Sequence, residues 1–80
     1  MNIYAVYMHD HTGDHTIEVF KSDEERLEFV QQDIKTVSEV LLSDGYESYE
    51  QSNHDGYELY VPDCGIYYEW IFCDTELKGV

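Results

Sequence analysis

Between Thr36 and Leu77 the chain has neither lysine nor arginine, yet it carries ten carboxylates there. All four cations, Lys21, Arg26, Lys35 and Lys78, lie outside that stretch. Such a half-chain cannot neutralise itself. It repels itself in the folded state and projects a negative field of several kT over its surface. The same shortage of cations argues against direct binding to a nucleic-acid backbone, which needs a basic face. Long apolar runs are missing too. Val40–Leu42 is short, and Glu69 interrupts the stretch from Ile66 to Cys73, whereas a membrane span needs about 20 apolar residues. The N-terminus lacks a basic region before an apolar one and reads as a strand, so no signal peptide and a cytoplasmic location are expected. There are two cysteines. In a reducing compartment they are expected to be free thiols. No glycine-rich phosphate loop and no Ser-His-Asp order is present.

What is present argues against disorder. The chain has 80 residues, net charge −14, 42% hydrophobic residues and 15% aromatics, including eight tyrosines. This composition reads as one compact domain over 1–80 with an acidic coat. A chain this short buries about two thirds of its unfolded surface, so the core is small. It also has little room for a pocket of several hundred Å³, roughly what small ligands use. No cofactor is expected, and the protein reads as a non-enzyme whose surface meets another surface.

Residues 2–9 are rich in β-favouring types and read as a strand. Asp10–Asp14, with Gly13, is a loop. His15–Phe20 is a second strand, with Ile17 and Val19 on one face and Thr16 and Glu18 on the other, so the pair forms a hairpin. The period then changes. Ser22-Asp23-Glu24-Glu25 is a capping box, and the acids suit the first turn. Leu27, Val30, Ile34, Val37 and Leu41 form one stripe, which Phe29 and Val40 widen. Gly45 is the expected terminator after Ser43-Asp44. Tyr46–Gln51 is an optional short strand. Tyr57–Val61 and Ile66–Cys73 are strands about the turn Pro62-Asp63-Cys64-Gly65. In the last strand Ile66, Tyr68, Trp70 and Phe72 share a face, and Tyr67, Glu69, Ile71 and Cys73 share the other. Asp74–Val80 is expected to be a loose tail. The fold class is therefore α+β: an antiparallel sheet in the order ββαββ, with one optional extra strand and one long helix packed on one face.

Several constellations could carry chemistry. His9-Asp10-His11-Thr12-Gly13-Asp14-His15 resembles the His-x-His-x-Asp-His signature of metallo-β-lactamase-fold hydrolases, with one residue too many before the aspartate and none of the chain length that family needs. A bare metal site through His9, His11 and His15 is the surviving alternative, against a polar hairpin loop. Cys64 and Cys73 are separated by a strand of about 25–30 Å, too far for a disulfide. No calcium-binding loop pattern is present.

The feature with most reach is the acidic surface interleaved with tyrosines. Residues i and i+2 on a strand, or i and i+4 on a helix, are about 6–7 Å apart and can imitate a row of phosphates. Tyrosines between them add contact area at low entropy cost. The alternative is general solubility, or adaptation to a salty cytosol. The candidate contact set is Asp44, Glu47, Glu50, Asp55, Glu58 and Glu69, with Tyr46, Tyr49 and Tyr67 as anchors. On this reading Glu47→Lys with Glu50→Lys weakens binding far more than Asp23→Lys.

In size, charge and compactness the whole chain resembles small acidic phage-encoded host-defence inhibitors, the anti-CRISPR and anti-restriction DNA mimics. The resemblance implies a stoichiometric blocker acting in the host-cell cytoplasm. Its partner would be a basic nucleic-acid-binding protein or nuclease complex: a Cas effector, a restriction nuclease or a toxin nuclease. An immunity protein or antitoxin for one basic nuclease toxin is the runner-up, and a small His-rich metal-binding module the third reading. A homodimer through the aromatic face of the last strand is compatible with the pattern.

Overall fold

The computed structural model describes residues 2–76, with side chains over 3–73. The elements are β1 (Asn2–Asp10), β2 (His15–Phe20), α1 (Asp23–Ser43), β3 (Tyr49–Asn53), β4 (Gly56–Val61) and β5 (Ile66–Glu76). The strands form one five-stranded sheet in the order β2-β1-β5-β4-β3. Every pairing is antiparallel. The helix packs on one face against β1 and β2, so the class is α+β. It joins the two edge strands, β2 and β3, and so crosses from one side of the sheet to the other.

Local chemistry sets the ends of α1. The Ser22 hydroxyl accepts from the Glu25 amide at 3.1 Å, and Asp23, Glu24 and Glu25 occupy the first turn. At the far end Gly45 adopts φ 88°, a left-handed conformation that costs a glycine little. The Tyr46 amide donates to the Leu41 carbonyl at 2.9 Å and the Gly45 amide to Leu42 at 3.0 Å. That pair of bonds satisfies carbonyls a helix end would otherwise leave open.

Strand register decides which side chains meet the helix. Val6 lies beside Phe72, and Leu59 beside Tyr68. With Val61 and Trp70 these face Val30, Ile34 and Leu41 of α1 in the core, where Val6, Val30 and Leu59 are fully buried. Of the expected helix stripe, Leu27 and Val37 are half-buried. Val40 is 56% exposed and does not widen it. Gly56 stands where a Cβ would fall 1.8 Å from the Trp70 carbonyl oxygen. Only a residue without a side chain allows β4 to approach β5 there.

Arg26 is buried, with 3% of its surface exposed. Its guanidinium donates to the carbonyls of Ala5 at 3.1 Å and Cys73 at 3.4 Å, and pairs with Asp23. It lies over the Phe72 ring at 4.5 Å and near the Tyr4 ring at 5.4 Å. This cation pins the first turns of α1 to the β1–β5 ladder.

β2 takes one of its two possible orientations, and one expectation changes. Ile17 and Val19 do not face the helix. They pair with Tyr7 and Ala5 on the opposite side and are 64% and 60% exposed. β5 also continues to Glu76, pairing with Asn2, so three residues of the segment expected to be loose are strand. Residues 77–80 lie outside the described residues. No helix among the described residues is long and apolar enough to cross a membrane.

Candidate functional site

Three features stand out, and the first two lie toward the end of the sheet where α1 terminates. The first is the helix terminus itself. Asp44 is its C-cap, and the last turn contains no basic residue. A helix C-terminus carries roughly half a negative charge, which a cation would stabilise and an anion does not. Tyr46 and Glu47 follow in an exposed connection. By register, the β1–β2 hairpin with Asp10 and Asp14 and the β4–β5 turn with Asp63 lie at the same end. The ion pairs among the described residues, Arg26–Asp23 and His9–Glu69, leave Asp44, Glu47, Glu50 and Asp55 uncompensated.

The second feature is a cleft of about 500 Å³ on the helix side, larger than so short a chain was expected to hold. Met8, Thr16, Tyr68 and Trp70 from the sheet line it, with Asp33 and Val37 from α1 and Asp10 and Asp14 from the hairpin. The Trp70 indole N–H donates to Asp33 at 2.9 Å. Asp10 accepts from the Thr12 hydroxyl at 2.5 Å and from the Thr12 amide at 2.8 Å. The hydroxyl bond is the main cause that holds its carboxyl below the ordinary value. Burial, and then the Asp10 charge, push the Tyr68 phenol up. The cleft thus has an aromatic and aliphatic floor with aspartates at its margin. It suits a cation with an apolar stem.

The third is the sheet face turned away from α1. Cross-strand rows run over it: Tyr49, Tyr60 and Tyr67 in one, Gln51, Glu58, Glu69, His9 and His15 in the next, and Gly56, Ile71, Tyr7 and Ile17 beyond. Glu58 and Glu69 are direct neighbours of like charge, a destabilising arrangement. His9 Nε2 meets Glu69 at 2.9 Å and the Asn53 amide reaches Glu58 at 3.4 Å, which eases it. Tyr49 and Tyr60 rings lie 6.1 Å apart, and Tyr67 is edge-on to His9 at 6.0 Å.

The structure therefore divides the predicted contact set. Asp44, Tyr46 and Glu47 belong to the helix end. Tyr49, Glu58, Tyr67 and Glu69 share the open face. Glu50 pairs with Leu59 and points to the helix side of an edge strand, and Asp55 sits in the β3–β4 turn at the other end. Asp23 is not a neutral reference position, because it holds Arg26. The aromatic face of β5 that seemed open to a dimer is the core face.

The three histidines of the metal alternative have separate partners. His9 meets Glu69, His11 Nδ1 lies 3.3 Å from the Tyr67 carbonyl, and His15 Nδ1 lies 3.3 Å from the Gly13 carbonyl. The three rings are engaged separately, and no group of three metal-ligating side chains occurs among the described residues. Cys64 and Cys73 are free and exposed. Sequence reasoning missed Arg26 and the Trp70–Asp33 bond. Asp33, six residues into the stripe after Leu27, was the only available signal for the latter. No protein-family model, curated protein or solved structure matches the chain.

Proposed function

We propose that this protein is a non-enzymatic acidic inhibitor that binds a positively charged, nucleic-acid-binding surface of a partner protein in place of the nucleic acid. The observation that carries the reading is the acidic helix end: Asp44 and Glu47 stand at a C-terminal dipole with no basic residue in the last turn. The adjacent cleft supports it by offering an apolar floor and Asp10, Asp14 and Asp33 to a long basic side chain. The resemblance in size and charge to anti-CRISPR and anti-restriction proteins supports looking for the partner among guide-RNA effectors and nucleases. Ion pairing on this scale releases counterions from both surfaces, so affinity falls steeply with salt.

The test is a tagged pull-down from host lysate, eluted by a salt step, followed by competition with DNA or RNA for the captured protein. One basic nucleic-acid-handling protein in the salt eluate, displaced by nucleic acid, is the expected result. Glu47→Lys with Glu50→Lys abolishes the capture, whereas Glu24→Lys, on the exposed first turn, leaves it. Capture insensitive to salt, or equal loss in both variants, overturns the reading.

A further inference from the structure

The helix crosses the sheet on a diagonal. It follows β2 from Phe20, beside Tyr4, and leads to β3 at Tyr49, in the row of Tyr60 and Tyr67 at the opposite end. The corner by the β1–β2 hairpin is therefore left open on the helix side. Two rows of the sheet form the floor there: Thr16, Met8 and Trp70 in one, Asp10 and Tyr68 in the next. Asp33 and Val37 of α1 form the wall. At about 500 Å³ the cleft falls within the range, roughly 300–1,000 Å³, that bound groups use.

Floor and wall are matched to one kind of group. The Tyr68 and Trp70 rings lie 6.3 Å apart, inclined at 27°. Asp33 accepts the Trp70 indole N–H through Oδ2, and Oδ1 has no donor among the described residues. Asp10 accepts both Thr12 bonds through one oxygen, Oδ1, and they keep it ionised to lower pH than an ordinary aspartate. No lysine or arginine pairs with either aspartate among the described residues. The same fold shows what such a setting holds. The Arg26 guanidinium lies 4.5 Å from the centre of the Phe72 ring, pairs with Asp23 of α1 and donates to the Ala5 carbonyl of β1. Phe72 and Trp70 are successive residues on one face of β5, and Arg26 and Asp33 stand about two turns apart on one face of α1. An aromatic ring, a helix carboxylate and an acceptor on β1 thus recur at the cleft, where the chain supplies no lysine or arginine of its own.

We propose that the cleft is a pocket for one arginine side chain on the surface of the basic partner, an assignment that rests on the protein being an inhibitor of such a surface. The stem lies along Met8 and Val37, the guanidinium stacks on Tyr68 and Trp70, and its donors go to Asp33 and Asp10. An ammonium is compact and strongly hydrated, and it neither stacks nor spans two carboxylates, so lysine fits less well. Arginine is also the side chain that basic surfaces use for bidentate capture of phosphate. A pocket of rings and carboxylates competes with phosphate for that same group.

The test is a nuclear magnetic resonance titration of the full chain with acetylated, amidated tripeptides at fixed ionic strength. Glycine flanks arginine, lysine or citrulline in the three probes, and the Trp70 indole N–H is followed. The arginine probe gives a saturable shift centred on Trp70, Tyr68 and Met8, with a dissociation constant on the order of millimolar. The lysine probe binds about fivefold more weakly or worse, and citrulline, of similar shape but uncharged, does not saturate. Asp33→Asn keeps an acceptor for the indole but removes the charge, and weakens arginine binding by about fivefold. Asp10→Asn acts likewise from the sheet side, so a folding defect in one variant, seen by circular dichroism, leaves the other to decide. Glu24→Lys, a larger charge change at the far end of α1, leaves binding unchanged. The pocket is overturned by an absence of saturation, by shifts spread over the acidic surface, or by equal response to arginine and lysine. Binding unmoved in both aspartate variants overturns it as well. If the arginine probe fails while a basic protein is still captured from lysate, the pocket falls and the inhibitor reading stands. Arginine binding by a chain that captures no basic protein supports the pocket and refutes the inhibitor reading.

Discussion

Replacing Arg26 with methionine keeps an unbranched stem in the core but removes the guanidinium. Hydrogen bonds to partners among the described residues go with it: the Ala5 carbonyl at 3.1 Å, the Cys73 carbonyl at 3.4 Å and the Asp23 carboxylate. The contact with the Phe72 ring at 4.5 Å goes as well. A hydrogen bond to a charged group contributes roughly 1.5–3 kcal/mol. The 3.4 Å bond is at the limit of useful geometry, and Asp23 is largely in water, so both count for less. A desolvated cation–aromatic contact adds about 1–2 kcal/mol. Against these stands the relief of no longer burying a charge. The expected net loss is about 3 kcal/mol. A domain of this length has a total of roughly 4–12 kcal/mol, so the variant is on the edge of unfolding. The assay is urea denaturation, followed by Trp70 emission and circular dichroism. Lys35→Met is the control, since it makes the same charge change at an exposed position. It is expected to stay within about 0.5 kcal/mol of the parent. Arg26→Lys recovers little, because an ammonium cannot span the same fork of acceptors. A loss below about 1 kcal/mol in Arg26→Met, or full recovery by lysine, refutes the pinning role.

Asp33→Ala leaves the Trp70 indole N–H without its acceptor and costs about 1–3 kcal/mol, read by urea denaturation, with a shift in Trp70 emission as its signature. Asp10 titrates below its unfolded value, chiefly through the Thr12 hydroxyl. Its contribution to stability is present above the ordinary aspartate range and is lost as pH falls through the folded value. Thr12→Val therefore moves that loss to higher pH, which acid denaturation and carboxyl carbon shifts of Asp10 will register.

The helix was legible in the sequence because its signals are local. Ser22, Glu25, the stripe from Leu27 to Leu41 and Gly45 each act within a few residues of where they stand. The outer hairpins were legible for the same reason. β3 was harder: Tyr49–Asn53 is exposed throughout, so no alternation between core and solvent marks it. The orientation of β2 could not be read at all. Alternation separates Ile17 and Val19 from Thr16 and Glu18, but it does not say which set a single helix will cover. Arg26 occupies a position on the helix that looks solvated, and long-range contacts such as the ladder carbonyls of Ala5 and Cys73 make it a core residue. The candidate site follows the same rule. The acidic half of the chain is plain in the sequence, but the register, a long-range property, divides it, sending Glu50 to one side and Glu58 and Glu69 to the other.

That division bears on whether the acidity serves more than solubility. A chain selected only to stay soluble can place carboxylates where folding favours them. Asp23, Glu24 and Glu25 are such residues, set in a first turn where the helix dipole welcomes anions. Asp44 and Glu47 have no such explanation. They sit at the end of the same helix where a lysine would stabilise by about 0.3–1 kcal/mol, and Asp10, Asp14 and Asp63 gather at the same end with no lysine or arginine among them. Glu58 and Glu69 face each other across a ladder for no gain in folding. Burying the first group under a cationic surface would remove a repulsion present in the isolated chain. On the proposed function, an acid that is unfavourable in the free protein and favourable beside a cation is an acid placed for binding. The helix end is where that reasoning is strongest, because local geometry alone sets the sign of the penalty there.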